Sequence, residues 1–243
     1  KIYCKYTMNM KWNKKFNYTS LNRIPVNGSR HYAVGQQRLP SVSTILSKTR
    51  APEDKAALAA WIARVGEKES ERIKTTAATN GTKMHSIIET YLKGRENLDL
   101  LETEQETGLA KQMADKIISE GIQGKVNEVH GVECPIYYDS PKGWAGTADL
   151  VATYESQLSI CDFKQKNSIM KESYSSYHEY MTQIAGYSLA HDKLYGSSIT
   201  QGVILLATTD LVFQIFRIDH EKLKEYQQKF LDRVEQYYSL ING

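Results

Sequence analysis

The chain has 243 residues, 41% hydrophobic and 24% charged, an ordinary balance for a globular protein with room for one large domain or one domain with an appendage. No apolar run approaches the roughly 18 residues of a membrane span, and no apolar segment follows the basic N-terminus as a secretory signal requires. Three scattered cysteines (Cys4, Cys134, Cys161) make neither a disulfide framework nor the four thiolates of an iron–sulfur cluster. A reducing intracellular compartment is expected, cytoplasmic or, in a eukaryote, mitochondrial. The first residue is Lys1, so Met8 or Met10 is a candidate natural start.

The net charge of +3 conceals an asymmetry. Ten of the 31 basic residues fall in residues 1–52, and the first acid is Glu53, so the remaining chain sets 21 basic against 28 acidic residues. A strongly basic segment on an acidic body suggests a polyanion partner. The plainer alternatives are a solvated tail or an acid-poor transit peptide.

In chain order, Lys14–Val26 and Arg30–Val34 look extended, joined by Asn27-Gly28, a strong hairpin signal that argues for a folded segment. Leu39-Pro40-Ser41 starts a short helix through Leu46, with Ser41 as N-cap. Pro52 opens a helix over Glu53–Val65, whose apolar stripe is Leu58, Trp61, Ile62 and Val65. Glu67–Ala78 reads as a charged helix broken by Asn80-Gly81-Thr82. A new helix follows from Thr82 to Lys93, ending at Gly94, with Met84, Ile87, Ile88, Tyr91 and Leu92 on its apolar face and His85 beside it. Asn97–Glu106 is an acidic loop or helix start, and Leu109–Gly121 is a further helix. Val126–Tyr138 alternates as one strand or two, with Val132, Cys134 and Ile136 on one face and Glu133 on the other. Gly143–Lys164 reads as a hairpin turning at Glu155-Ser156-Gln157. Ser173–Leu194 is helical. Gly202–Thr208 is a buried strand paired with Leu211–Ile218, and Asp219 caps a last helix to Leu240 with the stripe Leu223, Tyr226, Phe230, Val234 and Tyr237.

A strand–helix–strand crossover after an antiparallel unit implies α/β architecture: a central mixed sheet flanked by helices. The expected division is a basic hairpin segment over 1–38, a helical cover over 39–124 and a core over 125–243, to which the helix at 82–93 also contributes. Nothing in the sequence fixes the oligomeric state.

The chemistry concentrates in the hairpin. Asp149 and Asp162 fall on adjacent strands, and Lys164 shares a face with Asp162. A single Asp at a strand end is usually a surface residue. Two with an ammonium beside them suit Mg²⁺ and a phosphate, since Mg²⁺ takes one or two carboxylates plus substrate oxygens. No G-x-x-x-x-G-K-[ST] loop is present, which argues against ATP use.

Five stretches stand in order: Gly81-Thr82-Lys83-Met84-His85, Glu133-Cys134-Pro135, Gly146-Thr147-Ala148-Asp149, Asp162-Phe163-Lys164 and Gln183-Ile184-Ala185-Gly186-Tyr187. Together they resemble the PD-(D/E)XK nuclease superfamily in its RecB-like exonuclease branch, and within it the mitochondrial genome maintenance exonucleases and their phage relatives. The likeness spans about residues 39–240, with Leu39–Leu46 and Trp61 also similar to that group.

The resemblance implies a restriction-endonuclease-like core and a metal-dependent DNA exonuclease, acting on single-stranded ends. Asp149, Asp162, the Phe163 carbonyl and His85 would hold Mg²⁺ or Mn²⁺. Lys164 would orient or deprotonate the attacking water, and Glu133 would face the same metal or position a ligand. Gln183 and Tyr187 would touch the DNA backbone or brace the site, with Arg50 and Lys166 as further DNA contacts. Residue 165 is Gln where many relatives have Thr, and the four-cysteine cluster of some relatives is missing. The rival readings are a structure-specific endonuclease with the same site, a catalytically inactive nucleic-acid-binding module, and a nucleotide phosphatase.

Overall fold

The computed structural model describes residues 11–94 and 108–242. The acidic stretch Asn97–Glu106, together with Cys4, Met8 and Met10, lies outside them. Two sheets organise the chain. The strands β1 (Asn22–Val26), β2 (Ser29–Val34) and β3 (Gln37–Pro40) form a small antiparallel sheet. The strands β4 (Val126–Tyr138), β5 (Trp144–Tyr154), β6 (Gln157–Lys166), β7 (Gln201–Thr208) and β8 (Phe213–Ile218) form a five-stranded sheet in that order. All its pairs are antiparallel except β6 with β7, which the helix α5 (Ser175–Tyr195) connects. The expected mixed sheet between helices is therefore the fold observed.

Each face of the large sheet carries its own apolar core. On one side α1 (Val42–Lys48), α5 and α6 (His220–Asn242) pack against it through Val42, Ile45, Ile184, Leu223, Phe230 and their neighbours. The whole α6 stripe Leu223, Tyr226, Phe230, Val234 and Tyr237 is buried, and Asp219 caps the helix by accepting from Lys222 N at 2.9 Å. On the other side lie α3 (Glu67–Leu92), α4 (Leu109–Lys116) and a π-helical turn over Ile117–Ile122, burying Met84, Ile88, Leu92, Met113 and Ile117. At α1, Ser41 is the N-cap, accepting from Thr44 N at 2.9 Å.

Several sequence expectations give way to tertiary context. Residues 13–21 are not a strand: Trp12 bridges Val129, its indole donates to Leu92 O at 3.1 Å, and Phe16 is buried. The segment is held by a single main-chain bridge to β4, with Asn13 N donating to Val129 O at 2.9 Å and Val129 N to Lys11 O at 2.8 Å, and by its side chains. Leu39-Pro40 ends β3 rather than opening a helix. Asn80-Gly81-Thr82 does not break the helix, and α3 runs unbroken for 26 residues. A mid-helix Gly costs about 1 kcal/mol, which the burial of Met84, Ile88 and Leu92 just beyond it offsets. The helix expected to Gly121 changes into the π turn after Lys116. Finally α2 (Pro52–Val65) buries none of its stripe, with Leu58 38% exposed. It meets α3 at Gly66, whose φ of +87° turns the chain between them.

The β4 alternation also breaks. Val132 packs on the α3 side, whereas Cys134 and Ile136 lie in the α5–α6 core. The cause is Glu133, whose φ of +51° reverses the pleat at that residue.

Candidate active site

The site sits where the large sheet splits. β5 pairs with β6 from Tyr154↔Gln157 to Leu150↔Cys161 and no further. Beyond that point β5 stays with β4 as far as Tyr138↔Trp144, and β6 stays with β7 as far as Lys166↔Thr208. Asp149 and Asp162 are the first residues past the fork on their two strands. The Phe163 N–H, left without a β5 carbonyl, donates instead to Asp149 Oδ2 at 2.8 Å. The turn that sets this register is the two-residue Glu155-Ser156, both at positive φ, a hairpin geometry whose twist matches the strands.

Three ligand-type groups converge at the fork. His85 from α3, Glu133 from β4 and Asp149 from β5 place donor atoms within 4.8 Å of one another. His85 Nε2 lies 2.9 Å from Phe163 O, and a carbonyl only accepts, so Nε2 carries the proton. The unprotonated Nδ1 then faces Asp149 Oδ2 at 3.6 Å. Burial lowers the His85 pKa despite the attraction of Asp162, keeping the ring neutral and fit to donate a lone pair. Burial first, then the charge of Asp162, raises the Asp149 pKa well above the carboxylate range. Burial, reinforced by Glu89 and opposed by Arg23, raises Glu133 as well. Carboxylates penalised in this way beside a neutral imidazole are the donor set of a divalent cation. Asp162 Oδ2 adds to the fit: it is buried, touches Lys164 Nζ in an ion pair, and has no hydrogen bond of regular geometry.

Lys164 is held from three directions. It pairs with Asp162, donates to Gln183 Oε1 at 3.2 Å, and lies 4.9 Å from the centroid of the Tyr180 ring. Gln183 in turn donates to Tyr187 OH at 2.9 Å, and the Tyr187 ring lies against Gly146, where a Cβ would come within 2.6 Å of it. The Gln183–Tyr187 pair therefore braces the ammonium through the spacing of one α5 turn. Burial pulls the Lys164 pKa down, but Asp162 and Asp149 more than offset it and the net shift is upward. The lysine is therefore held in its charged form, which of the two roles implied for it favours orienting the water over deprotonating it.

These groups line a cleft of about 440 Å³. His85, Glu133, Asp149, Asp162, Lys164, Gln183 and Tyr187 are all in it, while the Phe163 carbonyl is engaged by His85. Arg50 and Lys166 do not line it. Arg50 follows α1, and Lys166 Nζ is tied to Ser176 Oγ at 3.1 Å near the start of α5. Residues not expected there are Arg23, Arg30 and Tyr32 of the small sheet and Thr147 of β5; Tyr180, whose ring lies by Lys164, does not line the cleft. The charge asymmetry and Asn27-Gly28 announced a basic hairpin, but no spacing tied it to the carboxylates.

No family model matches the chain. Among curated proteins it is similar to Mitochondrial genome maintenance exonuclease 1 of Mus musculus, 26% identical over 212 residues that take in 82% of this chain and 59% of the relative. The chain thus spans less than two thirds of that relative's length. Among solved structures, a candidate exonuclease from Eubacterium rectale matches 68% of this chain and 66% of its own with 19% identity and a TM-score of 0.47. The chain is thus similar, over most of its length, to a protein named as an exonuclease.

Proposed function

We propose that the protein is a divalent-metal-dependent nuclease that hydrolyses phosphodiester bonds of DNA from an end, with single strands preferred. The observation that carries this reading is the fork itself: His85, Glu133 and Asp149 gathered within 4.8 Å beside an ammonium that a buried carboxylate and an amide hold in place. Similarity to a protein named as an exonuclease supports the direction of attack.

In this reading His85 Nδ1, Glu133 and Asp149 hold Mg²⁺ or Mn²⁺, with Asp162 and the Phe163 carbonyl alongside. When bound, such an ion acts as a Lewis acid at the scissile phosphate and lowers the pKa of a bound water from about 15.7 toward neutrality. Lys164 presents an ammonium where negative charge grows on the phosphorus oxygens, and preorganised charge of this kind is usually the largest single contribution to the rate. Asp162, Gln183 and Tyr180 fix its direction in advance, and Tyr187 fixes Gln183.

Single-stranded DNA labelled at the 5′ or 3′ end, with Mg²⁺ or Mn²⁺ and with EDTA, tests the proposal. Release of short products from one end, abolished by EDTA, is expected. Cutting of a circular single strand would replace the exonuclease reading with the endonuclease one. No cleavage of any DNA with either ion would overturn both.

A further inference from the structure

One wall of the cleft takes no part in the chemistry above. In the small sheet Arg23 pairs with Tyr32, and Pro25 with Arg30. Side chains alternate along a strand, so Arg23, Tyr32 and Arg30 share one face. All three line the cleft. Arg38 pairs with Ala33, falls on the opposite face and does not line it.

The two arginines are set in different ways. Arg23 Nη2 lies 3.4 Å from Thr147 Oγ1, two residues before Asp149, and its guanidinium is 5.9 Å from the centroid of the buried Tyr32 ring. Tyr32 OH reaches the same threonine at 3.3 Å, so the small sheet is tied to β5 beside the metal-type cluster. The main chain of Arg30 is pinned, because its carbonyl accepts from Ser41 N at 3.0 Å and from Thr44 Oγ1 at 2.8 Å. Its exposed side chain has no hydrogen bond or ion pair among the described residues. The facing floor holds Glu133, Asp149 and Asp162, which alone would repel a polyanion.

We infer that Arg23 and Arg30 hold a backbone phosphate of the substrate strand adjacent to the scissile one, making the N-terminal sheet the wall that sets the strand's position over Lys164. The inference rests on the phosphodiester reading of the site. A guanidinium suits this task because its planar fork matches phosphate bidentately. Arg23, already bonded to Thr147, orients the strand; Arg30, whose side chain has no partner among the described residues, supplies the free fork.

Steady-state cleavage of labelled single-stranded DNA by Arg23→Ala, Arg30→Ala and Arg38→Ala tests this. Each of the first two is expected to raise KM about tenfold with kcat within about threefold. For each phosphate no longer neutralised, the log-affinity versus log-salt slope should flatten by about 0.7. Arg38→Ala should behave as the parent. Arg30→Ala removes no side-chain bond among the described residues, so it stays interpretable if Arg23→Ala loosens the sheet. Unchanged KM and salt slope in Arg30→Ala, or a fall in kcat alone, overturns the inference. Should the parent cut no DNA, the nuclease reading fails separately. Anisotropy of a labelled strand bound to parent and Arg30→Ala then decides the wall: equal affinity and equal salt slope would still reject it.

Discussion

Asp149 Oδ2 accepts the Phe163 N–H at 2.8 Å, a side chain standing in for the strand that has just departed. That one bond joins the backbone of β6 to the carboxylate of β5 and holds the fork open at the width of the site. The forces balanced around it are open to measurement.

Asp149 is half-buried beside Asp162, and burial together with that neighbouring charge, only partly offset by Lys164, disfavours its ionised form in the metal-free protein. Asp149→Asn keeps an acceptor for Phe163 N and removes the charge. It should gain about 1–2 kcal/mol of stability without metal, read from urea midpoints. The parent should gain about 2.7 kcal/mol at a hundredfold excess of Mg²⁺ over its Kd, whereas the variant's melting temperature should not move. A variant that still responds to Mg²⁺ would remove Asp149 from the ligand set.

Lys164→Ala should lose about 3–4 kcal/mol of transition-state stabilisation, a fall in cleavage of a hundredfold or more. It also strands Asp162, which is 1% exposed, at a stability cost of up to about 3 kcal/mol. Adding Asp162→Asn should restore most of that stability and none of the activity. Recovery of cleavage in the double variant would show that the first loss was one of folding.

A Cβ at position 146 would come 2.6 Å from the Tyr187 ring, which is itself buried. Gly146→Ala should therefore cost about 1–3 kcal/mol of stability and displace the Gln183–Tyr187 brace. Tyr187→Phe keeps the ring and loses only the bond from Gln183, with a smaller effect, about fivefold in cleavage for about 1 kcal/mol. Chemical denaturation and kcat measured on both variants separate packing from bracing. Equal effects would mean that the hydroxyl alone matters.

Acid sensitivity should arise far from the cleft. His191 is fully buried; Nε2 lies 2.9 Å from Tyr18 OH and Nδ1 2.7 Å from Ser197 Oγ. Burial, with a smaller push from His130, lowers its pKa to about 4. Because the folded value is depressed, the unfolded chain binds more protons between about pH 6.5 and 4. Stability contributed by the neutral ring is thus present above about pH 6.5 and lost as pH falls toward 4, on the order of 3 kcal/mol. Urea midpoints across this range should drop in the parent and drop less in His191→Gln. The second proton goes to Nε2, so Tyr18 OH can no longer donate to it and must turn to accept, which places the cost at the contact between the N-terminal segment and α5.

Where periodicity and burial agree, the fold was readable: the α6 stripe, the β5–β6 hairpin and the buried β7 all follow from their patterns. Asp149, Asp162 and Lys164 are marked out by their places on adjacent strands, and Gln183 by resemblance to a family motif. Other features needed the third dimension. Asn80-Gly81-Thr82 carries the local chemistry of a helix break, but the core contacts of Met84 and Ile88 outweigh it. The stripe of α2 has a core pattern, yet Trp61, Ile62 and Val65 are only half-buried and Leu58 is exposed. Glu133 faces the site because its backbone turns left-handed, which no alternation rule shows. Arg23 and Arg30 arrive from a separate sheet, more than a hundred residues from Asp149, so only the assembled fold makes them neighbours of the carboxylates.

The unbroken α3 is also a lever. Its outer half carries few core contacts, and Gln165 beside the lysine donates to Ala77 O at 2.7 Å, a natural fulcrum. His85 lies eight residues along the same rigid rod, roughly 12 Å at 1.5 Å per residue. A tilt of about 5° about Ala77 carries the imidazole about 1 Å, and a misplacement of that size costs on the order of a hundredfold in rate. A load on the far end of the helix, distant from Asp149 and Asp162, is thus felt at His85, the ligand proposed for the cation.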